Sequence, residues 1–272
     1  MVMLKSYKSL RNSGLVELKI ALVLIGFTLA SICLGGNVIG VKAENELVTR
    51  AANLAETDHI ALLELAVENY KKNVHDYTGQ LHKQERNGRK LGKKQVIAFK
   101  FMEKPYSVFL EWEKNATDAD RLLYVEGSND GKMIVHPTGF FSWLKRVKLH
   151  PHDKKALRSG SQPCDRFGFH RMMTEMLRVY ELAKKQGHLQ MTSLGWTIVD
   201  RRKCLKLERR LPDREEYGCV RLVVEMDVEY LVPVSVECYD AKDNLFGRYI
   251  YKNLRFNEDL TAEQFLPEAN NL

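Results

Sequence analysis

The sequence predicts an α+β protein: a curved antiparallel β half-barrel of about nine or ten strands, with an N-terminal helix and an inserted helix packed on its concave face. Three observations favour this fold class. Short segments in which apolar and polar residues alternate with period two recur along most of the chain, separated by turn residues. Two longer segments show helical spacing instead. With 272 residues, 44% of them hydrophobic, the chain can bury a core.

The first 43 residues have the composition of a secretory signal peptide. A basic stretch, residues 1–19, precedes an uncharged apolar run, residues 20–34, and the small-residue site Val41-Lys42-Ala43 follows. We therefore predict cleavage after Ala43. The alternative is a retained membrane anchor, because the uncharged stretch is long enough to cross a bilayer. Cys33 is not expected to carry a lipid, since a bulky isoleucine precedes it.

The distribution of charge argues against a nucleic-acid partner. The chain has 42 Lys+Arg and 35 Asp+Glu residues, a net charge of +7, and residues 1–43 contribute four of these seven charges. The other basic residues are spread along the chain, whereas nucleic-acid binders gather them in one stripe. We expect residues 44–272 to form a single domain in the periplasm or elsewhere outside the cytoplasm, with at most a peripheral membrane association.

Two helices are expected in the mature chain. The first covers residues 47–73, and Asp58 is placed to cap its second half. The second covers approximately residues 169–185, and Gly187 follows its end. A short terminal helix is predicted at residues 261–264, which have the capping-box spacing.

The strands are predicted from alternation and from turn sequences such as Ser128-Asn129-Asp130-Gly131. Short turns join most of them, so the sheet is expected to be antiparallel. Residues 149–167 are predicted to form a long loop that crosses the sheet. The predicted strands are 94–101, 106–113, 121–127, 132–136, 196–200, 203–210, 219–228, 232–239 and 246–255.

Four cysteines follow the predicted cleavage site, and an exported protein can form disulfides. Cys204 and Cys219 lie on successive predicted strands, but a turn centred on residues 212–215 would pair Cys204 with Val223. A bridge between Cys204 and Cys219 is therefore not favoured. Cys238 alternates with valines and is expected to be a buried free thiol. The pairing of these residues with Cys164 stays open.

Motifs in the mature chain resemble an uncharacterised family of bacterial exported proteins, a domain of unknown function, over about residues 58–267. More distantly, the strand-turn-strand pattern is similar to the LolA/LolB-like superfamily of periplasmic lipoprotein carriers. This resemblance implies an antiparallel half-barrel closed by helices and suggests lipid or lipoprotein handling, although a fold alone does not fix a function. The motifs are Asp76-Tyr77-Thr78, Lys83-Gln84-Glu85, Lys104-Pro105-Tyr106-Ser107-Val108, Trp112, residues 124–132, His136-Pro137, Asp227, Val232-Pro233-Val234, Tyr239-Asp240, Tyr251, and residues 260–265.

Motifs for catalysis are missing from the sequence. It contains no nucleophile elbow, phosphate-binding loop or zinc-protease helix. His150-x-His152-Asp153 could hold zinc if a third histidine came near. Histidines that alternate around a proline in a loop are typical of a solvated segment, so we predict no metal, no cofactor and no catalytic residue. A hydrolase or metal-dependent enzyme that uses His136, His150 or His152 is the remaining alternative.

Apolar residues of the early strands and of the inserted helix are the candidates for lining an acyl-chain cavity. They could equally form an ordinary core, since the strands of any sandwich show the same alternation. We predict a non-enzymatic envelope protein that binds lipid or lipoprotein acyl chains. The alternative is an interaction or scaffold module without a cavity, whose partner is another envelope protein. The candidate residues are Ile97, Phe99, Phe101, Val108, Leu110, Trp112, Leu123, Val125, Met173 and Met176.

Overall fold

The structure is a computed structural model that describes residues 46–88, 90–144, 146–153 and 162–272. The predicted signal peptide lies outside these ranges. No helix within them has the length and apolar character needed to span a membrane. The helices are α1 (46–57), α2 (His59–Asn73) and α3 (Phe169–Lys185), and the strands are β1 (Asp76–Asn87), β2 (Lys90–Leu91), β3 (Gln95–Met102), β4 (Ser107–Lys114), β5 (Ala119–Val125), β6 (Met133–Pro137), β7 (Val147–Leu149), β8 (Gln190–Val199), β9 (Arg202–Arg210), β10 (Arg221–Asp227), β11 (Pro233–Tyr239) and β12 (Leu245–Phe256).

The strands form one antiparallel sheet in the order β7-β6-β5-β4-β3-β1-β12-β11-β10-β9-β8, and β2 pairs with the end of β1. The edge strands β7 and β8 do not pair with each other, so the sheet is open. The predicted α+β half-barrel is confirmed. The predicted strand number is wrong, because the described part of the sheet has twelve strands. The sequence prediction omits β1, β2 and β7 and begins β8 six residues late.

Asp58 caps α2, as predicted, but it also ends α1, so the single helix predicted over residues 47–73 is two helices. Its Oδ1 accepts hydrogen bonds from the backbone N–H groups of Ile60 (2.9 Å) and Ala61 (3.1 Å). These bonds satisfy two of the donors that the first turn of a helix leaves unpaired. α2 packs against α3. Its buried residues are His59, Ile60, Leu62, Leu63, Leu65, Ala66 and Tyr70.

His59 is expected to make the folded protein less stable in acid. Its Nε2 lies 2.8 Å from the Ala55 carbonyl, and its Nδ1 is buried without a partner. Burial lowers the pKa of His59 below its ordinary value of 6.5. The unfolded chain therefore binds more protons as the pH falls below 6.5, and stability is lost from there down to the folded-state pKa. We expect the free energy of unfolding to fall between pH 7 and pH 5, with a slope that approaches about 1.4 kcal/mol per pH unit.

Urea unfolding at several pH values measures this slope. H59Q should reduce it, and H75Q, at an exposed position, should leave it as in the wild type. The pKa values of His82 and His170 are also lowered by burial, so part of the slope should remain in H59Q. A slope that is the same in the wild type and in H59Q would contradict the assignment to His59.

Aromatic rings fill the space between α3 and the middle of the sheet. We call the sheet face that carries Tyr77 and Phe101 the inner face, and the opposite face the outer face. The Tyr77 ring lies 4.8 Å from the rings of both Phe101 and Phe169, and Phe169 lies 4.7 Å from Tyr251. The Tyr77 hydroxyl accepts a hydrogen bond from the Phe169 backbone N–H at 3.0 Å. These contacts fix the start of α3 on the inner face.

The C-terminal segment covers the outer face of β3–β6 and builds a second core there. Asp76, at the start of β1, accepts backbone hydrogen bonds from Glu258 (2.7 Å) and Leu260 (3.3 Å) and so holds the chain as it leaves β12. The predicted terminal helix is a short 3₁₀ helix, Ala262–Phe265, in which Gln264 Oε1 accepts a hydrogen bond from the Thr261 N–H at 2.8 Å. The outer core consists of Met102, Phe109, Leu123, Ile134 and Phe265.

The pairing of β9 with β10 differs from the predicted register. Cys204 lies opposite Asp227, and Val223 lies opposite Glu208. The prediction that Cys204 pairs with Val223 is wrong because the connection is longer than a turn over residues 212–215. It includes a 3₁₀ turn, Glu215–Tyr217. All four cysteines are free, and Cys238 is half-buried rather than buried.

Candidate ligand-binding face

Six of the predicted cavity residues project from the inner face of β3 and β4. They form three cross-strand pairs: Ile97 with Trp112, Phe99 with Leu110, and Phe101 with Val108. Partners that lie directly opposite in an antiparallel pair point to the same side of the sheet. The alternation therefore brings these six side chains together.

The two predicted methionines lie on the buried side of α3. Phe169, at the start of the helix, contacts Tyr77, and the ring of Tyr180 lies 5.4 Å from the Arg209 guanidinium on the inner face of β9. Met173 and Met176 lie between these two contacts at helical spacing and are buried. They therefore belong to the same inner layer as the six strand residues.

Leu123 and Val125 do not share this face. Leu123 lies opposite Phe109 and Val125 opposite Ser107, so both project to the outer face, where Leu123 belongs to the outer core. The residues of β5 that project to the inner face are Leu122, opposite Leu110, and Tyr124, opposite Val108. The prediction that Leu123 and Val125 line the inner face is therefore wrong by one position along β5.

Much of the inner face is closed core, and one strip of it is not. Ile97, Phe99, Phe101 and Val108 are all at most 3% exposed. Trp112, Leu122 and Tyr124, on the adjoining part of β4 and β5, are only half-buried. We call these three residues the inner strip. An acyl chain bound to the inner face could contact these three side chains.

Two polar groups, one on the inner strip and one beside it, are buried without hydrogen-bond partners in the described structure. They are the indole Nε1–H of Trp112 and the Oε1 of Gln95. Both lie next to Ile97, because Trp112 is its cross-strand partner and Gln95 precedes it by two residues on the same face. A buried polar group without a partner costs about 1–3 kcal/mol. The sequence does not mark Gln95 as a ligand-binding residue, because a lone glutamine at the start of a strand carries no functional signal.

Charged groups continue the inner face beyond this point. Lys83 Nζ lies 3.1 Å from Glu85 Oε2, and the Tyr249 hydroxyl donates to Glu85 Oε1 at 2.6 Å. Lys83 is the strand partner of both Gln95 and Tyr249. The inner face thus changes along the strands from aromatic core, through the half-buried strip, to a polar end.

A shallow cleft lies on the outer face between the sheet and the C-terminal segment. Its volume is about 210 Å³, below the usual range for ligand pockets. Lys100 Nζ, at its edge, donates to the Asn270 side chain at 2.6 Å and to the Gln264 carbonyl at 3.2 Å. These polar contacts, with Glu111 in the lining, make it a poor site for an apolar ligand.

The outer face of β9–β12 is charged. Arg221 pairs with Glu208 at 3.4 Å, and Lys206 pairs with Glu225 at 3.2 Å. Arg248 on β12 donates to Glu237 on β11 at 2.6 Å. Alternating charges of this kind form a solvated surface, and the basic side chains in it face carboxylates rather than an open stripe.

The histidines considered as metal ligands pair separately with carboxylates. His136 Nδ1 lies 2.7 Å from Asp120, and His152 Nε2 lies 2.7 Å from Asp165. The backbone N–H of His150 donates to Asp153 at 3.1 Å. In the described ranges, no three histidine, cysteine or acidic side chains come together as metal ligands would.

The family model for a protein of unknown function, DUF1571, matches residues 74–271. The chain belongs to the DUF1571 family. The DUF1571 match includes the whole sheet and α3, and therefore both the inner strip and the polar groups beside it. Asp76 and Tyr77, which belong to the motifs noted in the sequence, hold the C-terminal segment and the start of α3.

Several solved structures are similar to this DUF1571 protein at low sequence identity. MucB is 12% identical with a TM-score of 0.48, and the match covers 77% of this chain and 63% of MucB. The lipoprotein LppX of Mycobacterium tuberculosis is 11% identical, with 76% and 99% coverage and a TM-score of 0.45. A LolA superfamily protein from Nitrosomonas europaea is 9% identical, with 76% and 98% coverage and a TM-score of 0.31. No curated protein sequence matches the chain.

Proposed function

We propose that this protein is exported to the cell envelope and there binds a hydrophobic ligand, a lipid or the acyl chains of a lipoprotein, without catalysing a reaction. The observation that carries the proposal is the pair of unpartnered polar groups, Trp112 Nε1–H and Gln95 Oε1, on and beside the half-buried inner strip. One group donates and the other accepts a hydrogen bond. A ligand that covers the strip with an apolar chain and meets these groups with a polar end would satisfy both.

Acyl lipids have this combination of properties. An ester, amide or carboxyl group offers an oxygen that can accept from the Trp112 indole, and an amide or hydroxyl can donate to Gln95. The chain attached to it would cover Leu122 and Tyr124, which are half-buried in the described structure. Met173 and Met176 on α3 supply adaptable side chains at the neighbouring part of the inner layer.

The substitution W112F tests the role of the indole N–H, because it keeps an aromatic ring and removes the donor. We expect W112F to bind dansyl-labelled undecanoic acid about fivefold more weakly than the wild type, which corresponds to the loss of about 1 kcal/mol. Dansyl fluorescence on titration measures the dissociation constant. Native mass spectrometry of the protein isolated from membranes should detect bound lipid.

W196F is the matched control, since Trp196 is 48% exposed on the edge strand β8. It should bind the probe as the wild type does. Equal affinities in the wild type, W112F and W196F would contradict the proposed site. Protein that is always empty and binds no probe would contradict lipid binding altogether.

The exposed edge of the sheet supports a second candidate function, an envelope interaction or scaffold module. Leu194, Trp196 and Ile198 on β8 are 45%, 48% and 73% exposed. An edge strand with apolar side chains can pair with a strand of another protein. An empty protein that forms cross-links in cells from β8 to another envelope protein would favour this function over lipid binding.

A further inference from the structure

Arg209 is a buried cation without a carboxylate. It lies on the inner face of β9, opposite Leu222, and is 2% exposed. Among the described residues no acidic side chain forms an ion pair with it, and its Nε has no hydrogen-bond partner. Arginine does not lose its proton in a protein, and a buried charge without a counter-ion is costly. A neighbouring group that carries negative charge would therefore stabilise Arg209 in this position.

Two thiols lie at this position. Arg209 Nη2 donates to the Cys219 carbonyl at 3.0 Å and lies 3.4 Å from Cys219 Sγ. Cys238, on β11, is opposite Leu222 and therefore projects to the same face as Arg209. The backbone N–H of Val220, which follows Cys219, donates to the carbonyl of Tyr239, which follows Cys238, at 3.1 Å, so the two cysteines lie next to each other on neighbouring segments. Both cysteines are free, and each residue is half-buried.

The environment of Cys219 favours its thiolate. The hydrogen bond from Cys238, aided by the charge of Arg209, lowers the pKa of Cys219 to about 7, although burial acts in the opposite direction. The same contact raises the pKa of Cys238. The other titratable groups that act on the cluster are Tyr180, whose ring faces Arg209, and Glu85, which further raises the pKa of Cys238.

We propose that Cys219 and Cys238 form a redox-active dithiol site, in which Cys219 is the attacking thiolate, Arg209 is its counter-ion and Cys238 is the resolving thiol. Its substrate is a disulfide, either of a small molecule or exposed on another protein. The site is independent of the proposed lipid binding, because its residues lie on β9, β11 and the segment before β10 rather than on β3–β5.

The exchange balances in two steps. The Cys219 thiolate attacks one sulfur of the substrate disulfide, a mixed disulfide forms, and the other substrate sulfur leaves as a thiolate. Cys238 then loses its proton to solvent and attacks the Cys219 sulfur, the mixed disulfide breaks, and the second substrate thiolate leaves. The two protein thiols are oxidised to one disulfide, and the substrate disulfide is reduced to two thiols.

Arg209 makes the protein disulfide easy to reduce again. Oxidation removes the thiolate and leaves the guanidinium without its counter-ion, so Arg209 stabilises the reduced form. A structural disulfide has no such penalty. The Cys219–Cys238 bond is therefore expected to be reversible, in contrast to one that only holds the fold together.

Alkylation of the reduced full chain with iodoacetamide, followed by peptide mass spectrometry, tests the assignment of Cys219. Its alkylation rate should reach half of its maximum at a clearly lower pH in the folded protein than in the unfolded protein, because Cys238 and Arg209 favour the thiolate. In urea the midpoint should rise to about 8.5, the ordinary value for a thiol. R209M should raise the midpoint of the folded protein, and R209K, which keeps the charge, should raise it less. A midpoint that is equal in folded and unfolded protein would overturn the role of Cys219.

Oxidised glutathione tests the exchange itself. The wild type should form a Cys219–Cys238 disulfide that dithiothreitol reverses, while C238S should stop at a mixed disulfide on Cys219. Cys164 and Cys204, which are 7% and 0% exposed, serve as internal controls and should remain thiols. Burial raises the pKa of each to about 12. If C238S traps no glutathione, or if the wild-type bond resists reduction in the folded state, the proposal fails.

Discussion

Replacing Tyr77 with alanine is expected to lower the free energy of unfolding by about 4–5 kcal/mol. Tyr77 is fully buried, and its ring contacts Phe101 and Phe169 at 4.8 Å. Its removal leaves a cavity at the centre of the inner face and removes the acceptor for the Phe169 N–H. Domains of this size are stable by about 5–15 kcal/mol, so the variant should be close to unfolding at 25 °C. Urea titration followed by circular dichroism measures the loss.

Two further variants distinguish the contribution of the Tyr77 ring to stability from that of its hydroxyl, and the contribution of a core tyrosine from that of a surface tyrosine. Y77F keeps the ring and removes only the hydroxyl, which accepts from the Phe169 N–H, so it should cost about 1–2 kcal/mol. Y239A removes a half-buried tyrosine from the end of β11 and should cost about 1 kcal/mol or less. If Y77A were no more destabilising than Y239A, the inner aromatic cluster would not be the main core of the sheet.

The same strand shows where sequence reasoning stops. β1 is central in the sheet, between β3 and β12, yet its sequence does not predict a strand. Tyr77 and Leu81 are its large apolar residues on the inner face, and the alternation then continues with Lys83 and Glu85. These charged residues point inward because the inner face becomes polar at that end. Hydrophobic alternation predicts a strand only where one face of it is buried in an apolar core. The part of β1 that carries Lys83 and Glu85 has no such face, so the pattern does not predict it.

β4 and β5 show a different limit. Residues 107–110 are all buried, because α3 and its preceding segment cover one face and the C-terminal segment covers the other. Where both faces are buried, alternation does not say which residues share a side. In β5 the buried residue Leu123 packs on the outer face, so the inner strip contains Leu122 and Tyr124 instead of Leu123 and Val125. The cover on the outer face comes from Phe265, about 140 residues later in the chain, which no local pattern reports.

The sequence predicts the wrong connection between β9 and β10 for a similar reason. Its polar residues suggest a turn over residues 212–215, but Leu211 and Tyr217 on either side are buried against Val179 and Ala183 of α3. With this packing, the midpoint of the β9–β10 connection lies later in the chain than the predicted turn over residues 212–215. Cys204 therefore lies opposite Asp227. The shift also places Cys219 outside the ladder, beside Arg209, where a register read from the sequence would not put it.

Gly168→Ala is expected to cost about 3 kcal/mol, more than its small change in volume suggests. Gly168 precedes α3 with φ +110° and ψ 150°, a conformation that is almost restricted to glycine. A Cβ there would lie 2.9 Å from Phe101 Cζ and 3.3 Å from the Tyr77 hydroxyl. The substitution therefore adds a clash with the inner aromatic cluster to the backbone strain, and it should displace the start of α3.

Gly187→Ala separates these two effects. Gly187 follows α3 with φ +71°, and a Cβ there would meet no atom within 4 Å, so only the backbone penalty of about 1 kcal/mol applies. Thermal unfolding of both variants gives the comparison. A larger loss in G168A would mean that close contact with Phe101 and Tyr77 positions α3, together with the methionines that face the inner layer. Equal losses of stability in the two variants would mean that α3 can shift on the sheet at little cost. The inner strip would then lie beside a helix that can move.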